Sequence, residues 1–307
     1  MYRFLQAFFL FSVAAVAQPE VSITPRQRQS IPEQDKPIMR INVRQVMVPA
    51  VVTDANNRLF RGLKAENFRL LEDGVEQKIN SFSVEEVPLS MGIVFDASSS
   101  MKGKLEVSVA AAKQVFLNGS PADEFSLVQF GDGAELASGF TNHGEAIQAR
   151  LAQIRANGWT ALIDGAYLAL NEMRHSHNPR KVLLILSDGE NNNSRYGENE
   201  LLSFAKEAEV SIYSVRIGRT LARGTILEKL AAETGGRQIV VDNATGLAEA
   251  VRKMDEMMRH QYMLGYVSSA PNDGKRHNIK LELILSPSPS IPKLRITWRR
   301  GYMSLEP

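Results

Sequence analysis

Cysteine is absent from the 307-residue chain. That excludes a disulfide framework, thiolate-ligated zinc, iron–sulfur clusters and thiol catalysis. An excess of one charge is also lacking: 36 Lys and Arg stand against 34 Asp and Glu, a formal net charge of +2. Without a concentrated basic face there is no electrostatic case for nucleic acid as a partner. Long apolar runs are scarce. Past the N-terminal segment no stretch comes near the roughly 18 uninterrupted apolar residues of a membrane-spanning helix. What is present, 44% hydrophobic and 23% charged residues, lies close to globular averages and argues against a disordered or fibrous chain. The length suffices for one large or two ordinary domains with a substantial core.

The first residues read as an export signal. Arg3 supplies a short positive region, Ala7 to Val16 an apolar run broken only by Ser12, and Ala15-Val16-Ala17 a small-x-small cleavage pattern. The run is short for a bilayer anchor. Residues 1–17 are therefore expected to be a signal peptide, with Gln18 the mature N-terminus and a secreted or periplasmic destination. Residues 18–38, rich in Pro, Gln and mixed charge without an apolar period, read as a flexible lead-in.

From there the patterning falls into three parts. Residues 39–87 carry strand signals: Ile41 to Thr53 with its valines, Phe68 to Glu72, and Val75 to Phe82 beyond the hairpin dipeptide Asp73-Gly74. Pro49 implies an edge position or a break in the first of these. Residues 88–260 alternate strands with helices, which predicts a doubly wound, mostly parallel sheet covered on both faces. Residues 261–307 return to strand patterning, with Ile279, Leu281 and Leu283 and then Leu294, Ile296 and Trp298 at period two. The Pro-rich link Ser286–Pro292 is excluded from any central strand. Neither β piece buries a core alone; the expected fold is α/β, the parallel-sheet domain being inserted in an all-β module formed by 39–87 pairing with 261–307, the alternative being two separate minor lobes.

Chemistry concentrates where apolar strands end. The strand closing at Phe95 runs into Asp96-Ala97-Ser98-Ser99-Ser100, placing oxygen-bearing side chains at i, i+2 and i+4. The most apolar strand ends in Leu186-Ser187-Asp188-Gly189, and Gly158-Trp159-Thr160 precedes an apolar helix. Open α/β sheets bind ligands outside the carboxyl ends of their strands. Two carboxylates and three hydroxyls on three loops, with no sulfur or imidazole, describe a site for a hard cation.

Asp-x-Ser-x-Ser, a following Gly-x-Thr and an apolar strand ending in Asp-Gly together resemble the metal-ion-dependent adhesion site of von Willebrand factor A domains. The resemblance covers roughly residues 88–260. The flanking Val51-Val-Thr-Asp54 to Glu72-Asp-Gly74 segment and Tyr262-Met-Leu-Gly-Tyr266 look like exported bacterial proteins of the VWFA-related kind. The resemblance implies that Ser98 and Ser100 coordinate a metal directly, Thr160 directly or through water, and Asp96 and Asp188 mostly through water or by holding the other ligands. It implies Mg²⁺, with Mn²⁺ as a substitute, and a protein partner that offers an Asp or Glu carboxylate. It implies binding rather than catalysis. The competing roles are a structural or assembly component of the envelope, in which the metal only stabilises loops, and a Mg²⁺-dependent phosphatase of the haloacid dehalogenase type. The phosphatase needs a second carboxylate two residues after its nucleophilic Asp, and Ser98 stands there instead.

Neighbouring residues admit plainer readings. Trp159 occupies a position that is Gly in many relatives; it is expected to pack under its loop, the other reading being a contact residue at the rim. Asp164 either orients the site or is a helix-surface carboxylate, and Asn191 to Arg195 either contacts a partner or solvates the rim. His175-Ser176-His177 is expected to be solvated loop, without partner carboxylates, rather than a second metal site.

Overall fold

The computed structural model describes residues 45–84, 87–117, 119–218, 224–242, 246–285 and 292–305. The segments expected to be a signal peptide and a lead-in, and nearly all of the Ser286–Pro292 link, lie outside them. Four strands come first: β1 (Gln45–Thr53), β2 (Phe68–Glu72), β3 (Val75–Gln77) and β4 (Ile79–Ser83). Asp73 and Gly74, both at positive φ, make the tight turn between β2 and β3.

Strand and helix then alternate through β5 (Leu89–Asp96), α1 (Leu105–Leu117), β6 (Glu124–Phe130), β7 (Ala134–Thr141), α2 (Gly144–Gln153), α3 (Leu162–Glu172), β8 (Arg180–Ser187), α4 (Glu198–Glu207), β9 (Ser211–Ile217), α5 (Ile226–Thr234), β10 (Gln238–Val241) and α6 (Leu247–Arg259). Their sheet has the order β10-β9-β8-β5-β6-β7, parallel except for β7, which runs against β6. Every residue of β5 and β9 is buried, as a strand covered on both faces requires. Along β5, Met91, Ile93 and Phe95 face the core shared with α1, α2 and α6, whereas Val94 faces the core of α3, α4 and α5. From β5 the chain moves to β6 on one side, then crosses to β8 on the other. The switch in strand order therefore lies between the carboxyl ends of β5 and β8.

β11 (Tyr262–Val267), β12 (Arg276–Leu283), β13 (Arg295–Trp298) and β14 (Gly301–Met303) close the chain. They share two antiparallel sheets with the first four strands, in the orders β13-β1-β11-β4 and β14-β12-β2-β3. Val46, Val48, Leu70, Leu264, Ile279, Leu281 and Trp298 pack between them. The molecule is thus an α/β fold whose doubly wound, mostly parallel sheet is inserted in a flanking all-β module. Pro49 sits where β1 has a ladder neighbour on one side only, because β13 pairs just with Ala50–Thr53. The single strand predicted over Val75–Phe82 is two strands. The chain breaks at Lys78, β3 joining β2 in one sheet and β4 joining β11 in the other, because the two sheets need edge strands that one straight run cannot serve. Among the described residues no helix is long and apolar enough to cross a membrane.

Candidate metal centre

Asp96 is the last residue of β5, fully buried, its backbone held in register with Phe130 of β6. The chain past it is pinned by backbone bonds: Ala97 N–H donates to Phe130 (2.8 Å), Ser99 N–H to Gly158 (3.1 Å), and Asn157 N–H to Ala97 (2.8 Å). The Asp96-x-Ser98-x-Ser100 loop is therefore strapped to the loop that carries Thr160. A short 3₁₀ turn, Ser99–Met101, follows, and the buried Met101 anchors it in the core.

Both oxygens of Asp96 are engaged. Oδ1 accepts from Ser98 N–H (2.9 Å) and Ser98 Oγ (2.5 Å), and Oδ2 accepts from Ser187 Oγ (2.6 Å) at the end of β8. Burial raises the Asp96 pKa above the ordinary carboxylate value; the bonds from Ser187 and Ser98 pull it down, and the nearby Asp188 charge adds to the rise. The Ser98 and Ser100 hydroxyl oxygens lie 3.0 Å apart. Since the Ser98 proton is committed to Asp96, Ser100 donates in that pair, and the Ser98 lone pairs point away from Asp96. Such a hydroxyl, held by a carboxylate behind it, is suited to face a cation.

Thr160, 2% exposed, is fixed by its backbone: its N–H donates to Asn192 Oδ1 (2.8 Å), and its carbonyl accepts from Asn192 and Asn193 N–H (3.0 and 3.2 Å). Asp188, just past β8, has a side chain 8% exposed and accepts from Lys104 Nζ at 3.1 Å. The fold thus brings Asp96, Ser98 and Ser100 into one bonded group, straps the Thr160 loop to it, and sets Asp188 close enough to repel Asp96. Among the described residues no group of three or more His, Asp or Glu is disposed to hold a metal, so any cation here relies on hydroxyls. Two carboxylates and three hydroxyls fit a small, hard divalent ion and not a soft one.

Sequence reading missed several members of this site. Ser187 and Lys104 are single residues without a motif. Asn191 and Ser194, read in sequence only as rim or partner contact, instead act on a helix distant in sequence: Ile163 N–H donates to Asn191 Oδ1 (3.4 Å) and Ser194 Oγ (3.0 Å), and α3 has no side-chain cap from its own Ala161. Asp164 orients this loop, its Oδ1 accepting from Arg195 and Tyr196 N–H at 2.9 and 3.1 Å. Two expectations need correction. Trp159 does not pack under its loop but is 64% exposed. The space beneath is taken by Asp132, whose carboxylate accepts from Trp159 N–H (2.7 Å) and would lie 2.4 Å from a Cβ on Gly158, which is at φ +76°. His175 and His177 are exposed but do have carboxylate partners, Glu172 at 3.2 Å and Glu124 at 3.0 Å.

The model of the von Willebrand factor type A domain matches residues 91–253, more than half of the chain. The chain belongs to this family. An uncharacterized protein of Borreliella burgdorferi is 29% identical over 137 residues, 41% of this chain and 40% of that protein, so the chain spans well under half of this relative's length. Among solved structures, the von Willebrand factor type A protein from Catenulispora acidiphila is 13% identical, covering 87% of this chain and 75% of its own at a TM-score of 0.53. Proximal thread matrix protein 1 from the mussel byssus is 18% identical, covering 61% of this chain and 49% of its own at a TM-score of 0.50. At these identities the two structures speak for the fold alone.

Proposed function

We propose that this chain is an exported protein-binding module. In this reading Asp96, Ser98, Ser100, Thr160 and Asp188 hold Mg²⁺, or Mn²⁺ in its place, and the site captures an Asp or Glu carboxylate of a protein partner. One observation carries the reading: the buried Asp96 carboxylate spends both oxygens on Ser98 and Ser187, leaving the Ser98 and Ser100 hydroxyls, 3.0 Å apart, to face a ligand. When bound, a divalent ion supplies an electrophilic position for a carboxylate oxygen. The protein's own part is to present neutral hydroxyls and keep Asp96 behind them, so that little negative charge competes with the incoming carboxylate. Export rests on the N-terminal segment. Ser98, standing where a phosphatase of the haloacid dehalogenase type needs its second carboxylate, supports the binding reading over that rival.

Titrating Mg²⁺ into the chelator-treated chain should raise its melting temperature, by the equivalent of about 2.7 kcal/mol at a hundredfold excess over Kd. A pull-down from envelope extract should then recover a partner with Mg²⁺, and lose it with EDTA or in the Thr160→Ala variant. Equal recovery under all three conditions would overturn the adhesion reading. A Mg²⁺-dependent melting shift with metal-independent capture would indicate a metal that only stabilises loops.

A further inference from the structure

Lys104 brings a positive charge into direct contact with a proposed ligand of the candidate metal centre. It immediately precedes α1, and its Nζ donates to Asp188 Oδ2 at 3.1 Å across 84 positions of sequence. The position is set by backbone: Lys104 N–H donates to Met101 (2.8 Å), and its carbonyl accepts from Ser108 N–H and Oγ (2.9 and 2.8 Å). Nothing in α1 calls for a cation there. The N-terminal end of a helix is its positive pole, and a lysine at that end opposes the dipole, while Glu106 in the first turn complements it. The pairing with Asp188 is what accounts for a positive charge at this place. The pair is largely shielded, its side chains 31% and 8% exposed, whereas Lys102, two residues earlier, is exposed. The other Asp188 oxygen faces Glu190 N–H at 3.5 Å. A divalent ion seeking Asp188 therefore meets a carboxylate already neutralised by a tethered ammonium.

We propose that Lys104 is a built-in counter-cation of the metal centre, competing with the divalent ion for Asp188 and holding metal affinity down while it keeps the metal-free loops closed. This rests on the metal reading given above. The effect holds whether the ammonium leaves Asp188 or shares it. Leaving costs its ion pair, and staying puts two positive centres beside one carboxylate in a partly buried place, where their repulsion is stronger than in bulk water. The same ammonium stands in for the metal when divalent ions are scarce, since it offsets the mutual repulsion of Asp96 and Asp188.

Calorimetric titration of MgCl₂ into the chelator-treated full chain tests this, comparing the native protein with Lys104→Gln, Lys104→Met and Lys102→Gln. The first two should bind Mg²⁺ roughly tenfold more tightly than native, a difference of about 1.4 kcal/mol, and should melt at a lower temperature than native when metal-free. Lys102→Gln removes the same formal charge without touching Asp188 and should stay within about threefold of native, as expected for an exposed, solvent-screened charge. Equal or weaker binding by the Lys104 variants would overturn the proposal, as would equal tightening in Lys102→Gln or a metal-free Lys104→Gln that melts like native. No binding by any chain, the Lys104 variants included, would overturn the metal reading as well; equal binding by all would overturn only the role of Lys104.

Discussion

Two carboxylates, Asp96 at the candidate metal centre and Glu72 in the β module, are buried and answered by hydroxyls. Asp96 accepts from two serines and a backbone N–H. Glu72, 3% exposed on β2, accepts from Tyr266 (2.7 Å) on β11, Tyr302 (2.6 Å) on β14, and Ser268 (2.9 Å). Burial and the neighbouring Glu72 charge push the Tyr266 hydroxyl far above its ordinary pKa, so it stays a donor. Because β11 lies in one sheet and β2 and β14 in the other, Glu72 ties the sandwich together through its core. Glu72→Leu takes the shared acceptor from the buried Tyr266 and Tyr302 hydroxyls, Tyr302 keeping only its bond to Ser268 (3.0 Å), and should cost about 3 kcal/mol in chemical denaturation. Adding Tyr266→Phe and Tyr302→Phe should return much of that loss, since an all-apolar replacement leaves nothing unpaired. A triple variant no more stable than Glu72→Leu would refute this account of the contact.

At the level of elements, turns and loops are held by partners far along the chain. The Asp73 turn between β2 and β3 is fastened to β12: Asn278 N–H donates to Asp73 Oδ1 (2.8 Å), and His277 Nδ1 to Oδ2 (2.7 Å). The charges facing His277 are Asp73, Asp273 and Glu72. The hydrogen bond to Asp73 raises the His277 pKa above 6.5, with the Asp73 and Asp273 charges adding and burial opposing. The backbone bond from Asn278, then the bond from His277, lower that of Asp73 below 3.8. A raised histidine pKa gives stability that is complete below pH 6.5 and fades as pH rises through the folded value; a lowered Asp73 pKa gives stability complete above pH 3.8 and fading as pH falls. Melting temperature should therefore decline on the alkaline side of pH 6.5, and His277→Gln should remove that step. An unchanged alkaline profile in the variant would exclude His277 as its source.

Across the whole molecule, the parallel sheet interrupts a sandwich whose strands come from both ends of the described chain. β1 is paired by β11 and β13, and β2 by β12 and β3. A chain ending at His260 keeps β1 and β2 but loses four strands and much of the core around Val48, Leu70 and Leu264. Exposed apolar strands with open edges aggregate. Such a truncation should be insoluble, or protease-sensitive across residues 45–83, as read by limited proteolysis with mass spectrometry. A soluble chain resistant over that segment would show that the N-terminal strands do not depend on their C-terminal partners.

The sequence by itself determined the elements of the parallel sheet and the set of candidate oxygen ligands. Runs such as Leu183 to Leu186 are buried on both faces whatever lies beside them, and Asp96, Ser98, Ser100, Thr160 and Asp188 stand in ordered motifs at strand and loop ends. Hydrophobic period and motif order are local properties, and these could be read locally. Only the tertiary structure decided that Lys104 meets Asp188, that Asn191, Asn192 and Ser194 cap and brace the Thr160 loop, that Asp132 turns Trp159 outward, and that Val75 to Phe82 divides between two sheets. Each depends on which of many polar or strand-forming residues is brought within about 3 Å of another by the fold, a distance that hydrogen bonding requires and sequence separation does not encode.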